Sequence, residues 1–81
     1  MKCNLHGFRR IDMTDDSGRS IRGYSCYIGY PSNGVQGEET QKVFISDEMA
    51  IGCEWRPTAG TSIRIDFTPK GRVSWVQDDL D

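Results

Sequence analysis

The residues best suited to chemistry in this chain are arginines and tyrosines in the segment 18–30. Arg19 and Arg22 stand at its start, and Tyr24, Tyr27 and Tyr30 follow. Because side chains alternate along a strand, Tyr27 shares its face with glycine and serine only, which leaves its ring accessible. Accessible aromatic rings beside arginines bind unpaired bases and their phosphates. The other interpretation is an ordinary strand, since tyrosine favours strands in any case.

Further cations and one more ring fall on the outward faces of other predicted strands. Lys42 and Phe44 share the outward face of the strand 40–45, an arrangement typical of a stacking ring beside a phosphate contact. One residue of the pair Arg9 and Arg10 must point outward, and we assign Arg10 to the binding surface. Taken singly, each outward cation is better explained as a solvated side chain, so the prediction depends on their common side. The predicted nucleic-acid-binding residues are Arg10, Arg19, Arg22, Tyr27, Lys42, Phe44 and Arg64.

No catalytic set of side chains can be assembled from the sequence. His6 is the single histidine, and alternation puts Cys3 on the opposite face of its strand. No Ser-His-Asp arrangement stands out, and Asp15 and Asp16 belong to a turn without the spacing of a calcium loop. We therefore expect a protein that is not an enzyme, with no catalytic residues, no metal and no cofactor.

Length, charge and cysteine content limit the class of protein. The chain has 81 residues and a net charge of −2, with three widely spaced cysteines. This length suits one domain with a small core, and the odd number of cysteines predicts free thiols in a reducing cytoplasm. The polar first residues predict no secretory leader, and no apolar run is long enough to span a membrane. The negative charge opposes nucleic-acid binding, but residues 1–30 hold five Lys and Arg against three Asp.

The sequence alternates short strand patterns with turn residues and leaves room for one helical turn. Strands are predicted over 2–13, 18–30, 40–45, 62–67 and 72–76, with Ser46 as the N-cap of the short helix. The predicted fold class is therefore all-β, a small five-stranded OB-like barrel, with an SH3-like barrel as the alternative. The barrel domain is assigned to residues 1–77 and a frayed acidic C-terminal tail to residues 78–81.

Alternation also predicts which side chains form the core. The phase of the first strand slips at Gly7, which predicts a bulge there. Trp55 lies in an irregular segment, where it either plugs one end of the core or stays at the surface. The predicted core residues are Cys26, Ile28, Ile63, Ile65, Phe67, Val73 and Trp75.

Four segments carry a resemblance to known proteins: 7–14 (GFRRIDMT), 16–23 (DSGRSIRG), 42–46 (KVFIS) and 67–73 (FTPKGRV). In these segments the chain resembles small proteins encoded by phages and mobile elements of Gram-positive bacteria. Its plan of strands and turns is similar to that of the single-stranded DNA-binding proteins of filamentous phages. The resemblance implies a dimeric OB barrel that coats single-stranded DNA without reading its sequence. The acidic charge and the acidic tail set this chain apart from those proteins.

These observations predict a protein that binds single-stranded DNA or RNA with low sequence specificity. The expected partners are single-stranded nucleic acid, a second copy of the chain and a protein at the acidic tail, with no membrane. The alternative is a small protein–protein interaction module, such as a phage-encoded inhibitor of a host protein, because tyrosine and arginine also dominate protein interfaces. Such a module would use Glu38, Glu39 and the tail. Salt separates the two functions, because nucleic-acid binding weakens steeply with ionic strength.

Overall fold

A computed structural model describes residues 1–80 of the chain. It contains five strands and one short helix. No helix in this part of the chain is long and apolar enough to cross a membrane. The elements are β1 (Lys2–Thr14), β2 (Ser20–Tyr30), β3 (Glu39–Ser46), α1 (Asp47–Gly52), β4 (Thr61–Phe67) and β5 (Val73–Asp78).

The five strands form one antiparallel sheet in the order β3-β2-β1-β4-β5. β3 and β5 lie at the two edges and do not pair with each other over the described residues, so the sheet is not closed. A cleft of about 480 Å³, lined by residues of both strands, separates these edges. The prediction of an all-β fold with five strands is confirmed, whereas full closure into a barrel is not observed.

β1 and β2 form a long hairpin whose far half extends beyond the neighbouring strands. β4 pairs with β1 only over its first residues, from Lys2 to Leu5. β3 pairs with β2 only from Gly23 onward. We name the unsupported part, residues 8–22, the hairpin arm.

The turn at the tip of the hairpin arm is built around Asp15. Its carboxylate accepts hydrogen bonds from the backbone N–H groups of Ser17 and Arg19, each at 2.9 Å, and from the Ser17 hydroxyl at 2.6 Å. These hydrogen bonds, chiefly the one from the Ser17 hydroxyl, hold the pKa of Asp15 below its ordinary value. Gly18 completes the turn at a φ of 85°, which favours glycine. The predicted turn chemistry is therefore present.

β1 carries a bulge at His6. Leu5 and Gly7 pair with consecutive residues of β2, which leaves His6 as an extra residue. The bulge that the phase slip predicts is therefore present beside Gly7. Because of the extra residue, Leu5 and Phe8 both fall on the side of β1 that faces the core.

α1 starts at the predicted N-cap, Ser46, whose hydroxyl accepts a hydrogen bond from a backbone N–H of the first turn at 3.2 Å. Beyond the helix, Glu54 has a left-handed backbone with a φ of 52°, and the Trp55 N–H donates to the carbonyl of Ala50 at 2.9 Å. This reversal directs Trp55 into the core, where its indole Nε1 donates to Asp78 Oδ1 at 3.0 Å. Trp55 is therefore the plug and not a surface ring.

The core is made by inward side chains of all five strands, together with α1 and Trp55. Four predicted core residues, Cys26, Ile28, Ile63 and Ile65, are buried. Phe67 and Val73 are half-buried and pack against this core. The buried residues are Cys3, Leu5, Cys26, Ile28, Val43, Ile45, Ala50, Trp55, Ile63, Ile65 and Val76.

The prediction that Trp75 lies in the core is wrong. Trp75 is 38% exposed, and Val76 is buried instead. The pairing of β4 with β5 leaves Ser74 as an extra residue between Val73 and Trp75. Because an extra residue reverses the phase of a strand, alternation counted from Val73 assigns Trp75 to the wrong face.

The predicted boundary between the domain and the acidic tail, after residue 77, does not match the sheet. Asp78 belongs to β5 and pairs with Ile63. The N–H of Asp79 continues this pairing by donating to the carbonyl of Ser62 at 3.0 Å. Asp78 and Asp79 are therefore held by β4 rather than frayed, and Asp81 lies outside the described residues.

Candidate nucleic-acid interface

Two aromatic rings lie on the outward face of β2 and β3. In the register of these strands, Tyr27 stands opposite Lys42, and Ser25 stands opposite Phe44. Residues directly opposite each other share a face, so both rings and Lys42 project from the same side of the sheet. Tyr27 and Phe44 are 41% and 43% exposed, and their diagonal positions put their Cβ atoms roughly 7 Å apart. The structure thus brings the two predicted stacking rings together.

A glycine determines where the Phe44 ring lies. A Cβ added at Gly23 would stand 2.7 Å from Phe44 Cζ and 2.8 Å from the Cα of Ser46, and closer still to the carbonyl oxygen of Ile45. These distances are shorter than real Cβ contacts. The ring of Phe44 therefore packs over bare backbone at Gly23, and no larger residue fits without a shift of β3.

Phe44 also lies beside the cleft between β3 and the β4–β5 turn. Lys42 and Phe44 line one side of this cleft, and Arg72 and Val73 line the other. A cation therefore stands on each side of the cleft that Phe44 borders. Arg72 is not among the predicted site residues. Its place beside the turn 68–71 is visible in the sequence, but the docking of this turn against β3 is not.

A second cleft, of about 840 Å³, extends from Phe44 and Arg72 to the hairpin arm. Arg19 and Arg22 of the arm line it, although alternation from Gly23 puts Arg22 on the same face of the arm as Tyr24. Acidic residues at the start of α1 form part of the same cleft. We name the two rings and the four surrounding cations the Phe44 surface, which consists of Arg19, Arg22, Tyr27, Lys42, Phe44 and Arg72.

The cations of the Phe44 surface are little engaged within the chain. Arg22 Nε lies 3.3 Å from Asp12 Oδ1, and both side chains are mostly exposed, so this pair is weak. For Arg19, Lys42 and Arg72, the structure shows no ion pair within residues 1–80. These charges can therefore meet the phosphates of a ligand.

Arg10 lies on the other face of the hairpin arm. It pairs with Tyr24 in register, and its guanidinium carbon lies 5.1 Å from the centre of the Tyr24 ring. Both terminal nitrogens donate to the Asp47 carboxylate, Nη2 at 2.9 Å from Oδ2. These hydrogen bonds lower the pKa of Asp47 and raise that of Arg10. Arg10 therefore holds the hairpin arm against the start of α1.

Arg9 occupies the face that the sequence assigned to Arg10. Arg9 pairs with Ser25, which stands opposite Phe44, so it projects on the side of the two rings. The bulge at His6 is the reason, since an extra residue exchanges the faces of all residues that follow it. The structure thus separates Arg10 from the Phe44 surface.

Arg64 projects from β4 and does not line either cleft of the Phe44 surface. Its Nε lies 3.3 Å from Asp79 Oδ1. Lys2, its partner across β1 and β4, lies 2.9 Å from Asp79 Oδ2. The structure therefore gives Arg64 a carboxylate partner from the C-terminal segment and leaves it apart from the rings.

Residues 1–80 contain no group of three His, Cys, Asp or Glu side chains placed to hold a metal ion. His6 Nε2 lies 2.7 Å from the Glu38 carboxylate, which also accepts a hydrogen bond from Asn4 at 2.6 Å. Cys3 and Cys26 are buried, and burial raises the pKa of both thiols, that of Cys26 to about 11. Because the thiolate is the nucleophilic form, these two thiols are poorly reactive at neutral pH.

Comparison with known proteins gives no relative from which a function could be transferred. No protein-family model, curated protein or solved structure matches the chain. The functional argument therefore depends on the geometry of the Phe44 surface.

Proposed function

We propose that this protein binds single-stranded nucleic acid, with low sequence specificity, through the Phe44 surface. The observation that carries the proposal is the exposed Phe44 ring beside Lys42 and across a cleft from Arg72, with Tyr27 on the same face. Stacking on a ring accepts any base, because every base has a π-face. Cations beside the rings hold the phosphates without reading the sequence.

The spacing of the two rings suits consecutive bases of an extended strand. Tyr27 and Phe44 occupy diagonal positions on neighbouring strands, and Lys42 lies beside both. One base stacked on an aromatic side chain contributes about 1–3 kcal/mol. Two such contacts contribute about 2–6 kcal/mol, to which the cations of the Phe44 surface add at low salt.

The order of the strands supports the proposal. A five-stranded sheet whose edge strands β3 and β5 face each other across a cleft has the plan of a partly open OB-like barrel. OB folds bind oligonucleotides with the face of strands 2 and 3 and with the loops that join strands 1–2 and 4–5. In this chain Tyr27 and Phe44 lie on β2 and β3, while Arg19 and Arg72 lie in those two loops. An OB-like fold is therefore favoured over an SH3-like one.

The acidic net charge is compatible with this function because exposed charges act over a short range. At physiological salt, screening limits their reach to about 8 Å. Acidic groups do border the surface: Asp47 and Glu48 line one wall of the second cleft, and Glu38 stands over Gly29, two positions from Tyr27. We therefore expect moderate affinity with a strong dependence on salt.

A fluorescence anisotropy titration with labelled oligothymidylate tests the proposal. Tyr27→Ala and Phe44→Ala should each weaken binding by about 1–3 kcal/mol, the contribution of one stacked base. Phe8→Ala is the matched control, because Phe8 is 39% exposed but lies on the opposite face of the hairpin arm. Arg22→Ala should flatten the salt dependence by about 0.7, the share of one phosphate contact on a single strand.

Two outcomes would contradict the proposal. One is the absence of binding to any oligonucleotide, even at low salt. The other is an equal loss of affinity in Phe8→Ala and Phe44→Ala, which would mean that the outward rings have no special part in binding.

A protein–protein interaction module is the second candidate, and one observation favours it. A cleft of about 820 Å³ between the hairpin arm and α1 is lined by Phe8, Tyr24 and Ile51, and Ile51 is 77% exposed. Exposed apolar side chains of this kind are typical of a contact site for another protein, and charged residues such as Arg10, Asp47 and Arg56 line the same cleft. Binding there would respond to Phe8→Ala rather than to Phe44→Ala. The dimer, the phage origin and the cytoplasmic location stay predictions of the sequence.

A further inference from the structure

A buried carboxylate near the end of the chain lies between two exposed cations. Asp79 Oδ2 is 2.9 Å from Lys2 Nζ, and Asp79 Oδ1 is 3.3 Å from Arg64 Nε. The side chain of Asp79 is 1% exposed, whereas those of Lys2 and Arg64 are 60% and 52% exposed. The two cations therefore form an anion-binding site, and the Asp79 carboxylate of the chain itself occupies it.

The two cations converge because of the sheet and not because of Asp79. Lys2 and Arg64 stand directly opposite each other on β1 and β4, so they project from the same face. Like charges in this position repel each other, and an anion between them relieves the repulsion. Phosphate oxygens offer the same charged acceptors as a carboxylate, and arginine binds both with matching geometry.

The outward face of the sheet connects this anion site to the Phe44 surface. Tyr27 stands opposite Gly7 on β1, and β4 is the next strand beyond β1. The spacings of strands and residues give a distance of roughly 15–20 Å between Tyr27 and Arg64. Glu38, held over Gly29 by its bonds to neighbouring side chains, stands on the same face. The anion site is therefore separate from the rings, within reach of a longer strand.

We propose that Lys2 and Arg64 form a second phosphate subsite for the nucleic-acid strand, and that Asp79 masks this subsite until a strand displaces it. The proposal rests on the proposed function of the Phe44 surface. Displacement requires the end of β5 to open, which includes the hydrogen bond from the Asp79 N–H to the Ser62 carbonyl. Strand ends open locally at low free energy.

Asp79→Asn tests the masking, because it removes the charge and keeps the shape of the side chain. Asp66→Asn is the matched control, since Asp66 is an exposed carboxylate on β4, two residues from Arg64. Both variants should be titrated with oligothymidylates of about four and about sixteen nucleotides, the range that one OB-sized domain covers.

We expect Asp79→Asn to bind the long strand about tenfold more tightly than Asp66→Asn does at low salt. Its salt slope should also be steeper, because the strand then meets Lys2 and Arg64 without first breaking their ion pairs with Asp79, which salt weakens. The short strand, which reaches only the rings, should bind both variants equally. Adding Arg64→Ala to Asp79→Asn should remove most of the gain.

A second measurement uses the chain with Asp79 in place, so that it holds even if Asp79→Asn unfolds. Arg64→Ala alone should flatten the salt slope for the long strand by about 0.7 and leave the short strand unaffected. Circular dichroism shows whether each variant is folded. If Asp79→Asn does not fold, the salt slope of Arg64→Ala decides the question.

The outcomes separate this subsite from the Phe44 surface. If the unsubstituted chain binds but Asp79→Asn gains no more than Asp66→Asn, or gains equally for both strand lengths, the masked subsite is refuted and the Phe44 surface stands. An unchanged salt slope in Arg64→Ala also refutes it. If no protein binds either strand at low salt, both proposals fail.

Discussion

Replacing Gly23 with alanine should destabilise the fold and displace the Phe44 ring. The added Cβ would stand 2.7 Å from Phe44 Cζ and 2.8 Å from the Cα of Ser46. The ring can rotate away, but the backbone of Ser46 and Ile45 can move only with β3. We therefore expect a loss of about 1–3 kcal/mol in the free energy of unfolding, as for an overpacked interior site. For a domain of this size, each kcal/mol lowers the Tm by about 4–8 °C.

Gly7→Ala is the control for this prediction. Gly7 stands opposite Tyr27 in the neighbouring strand, and a Cβ there would meet nothing within 4 Å. Thermal unfolding followed by circular dichroism gives the Tm, and anisotropy with oligothymidylate gives the affinity at a temperature where all variants are folded. Gly23→Ala should lower both quantities, and Gly7→Ala should change neither.

Two results would refute the reasoning. An equal Tm in Gly23→Ala and Gly7→Ala would mean that β3 yields without strain. A lower Tm in Gly23→Ala with unchanged affinity would mean that the position of the Phe44 ring does not determine binding.

Two further predictions follow from the ionisable groups. The pKa of Asp47 is lowered chiefly by its hydrogen bonds from Arg10. The stability that this carboxylate contributes is therefore fully present above its unfolded pKa of about 4. It is lost as the pH falls through the lower pKa of the folded state. Urea unfolding curves of the unsubstituted chain and Asp47→Asn should therefore converge towards acid pH, and a constant gap would contradict this. Burial raises the pKa of Cys26 to about 11, so iodoacetamide at neutral pH should modify the half-buried Cys53 first and Cys26 only after unfolding. Peptide mass spectrometry measures the order, and early labelling of Cys26 would place it on the outer face.

The local parts of the fold can be predicted from the sequence. The turn of Asp15 and Gly18, the N-cap at Ser46 and the alternation of Ile63 and Ile65 each depend on a few neighbouring residues. Such patterns are set by hydrogen bonds within the turn and by the period of the strand. The structure has all of them.

The assignment of faces could not be predicted beyond a bulge. His6 and Ser74 are extra residues in their strands, and each reverses the faces that follow it. Arg10 and Trp75 are consequently found on the faces opposite to those expected. The phase slip in β1 marks a bulge near Gly7 but not which residue is the extra one, and the bulge in β5 leaves no such signal, because its position is set by the partner strand.

The long-range contacts of the site could not be predicted either. Arg72 shares a cleft with Phe44 because the β4–β5 turn lies beside β3, and Asp79 reaches Lys2 because its backbone continues the pairing of β5 with β4. Both contacts join segments that are far apart in the chain. They follow from the packing of whole elements, for which single residues give no local pattern.

The central place of β1 in the sheet has a consequence for the order in which the protein is made. β2, one neighbour of β1 in the sheet, follows it directly in the chain, but β4, the other neighbour, comes late. The side chains of Asn4 and Ser62, which form a hydrogen bond across β1 and β4, are 58 positions apart. Contacts of such long range form slowly, because loop closure must precede them. During synthesis the rings of Tyr27 and Phe44 therefore emerge on a three-stranded meander whose apolar underside still lacks β4 and β5. A chain that stops before Thr61 would present its stacking surface on an uncovered sheet, a form that aggregates readily.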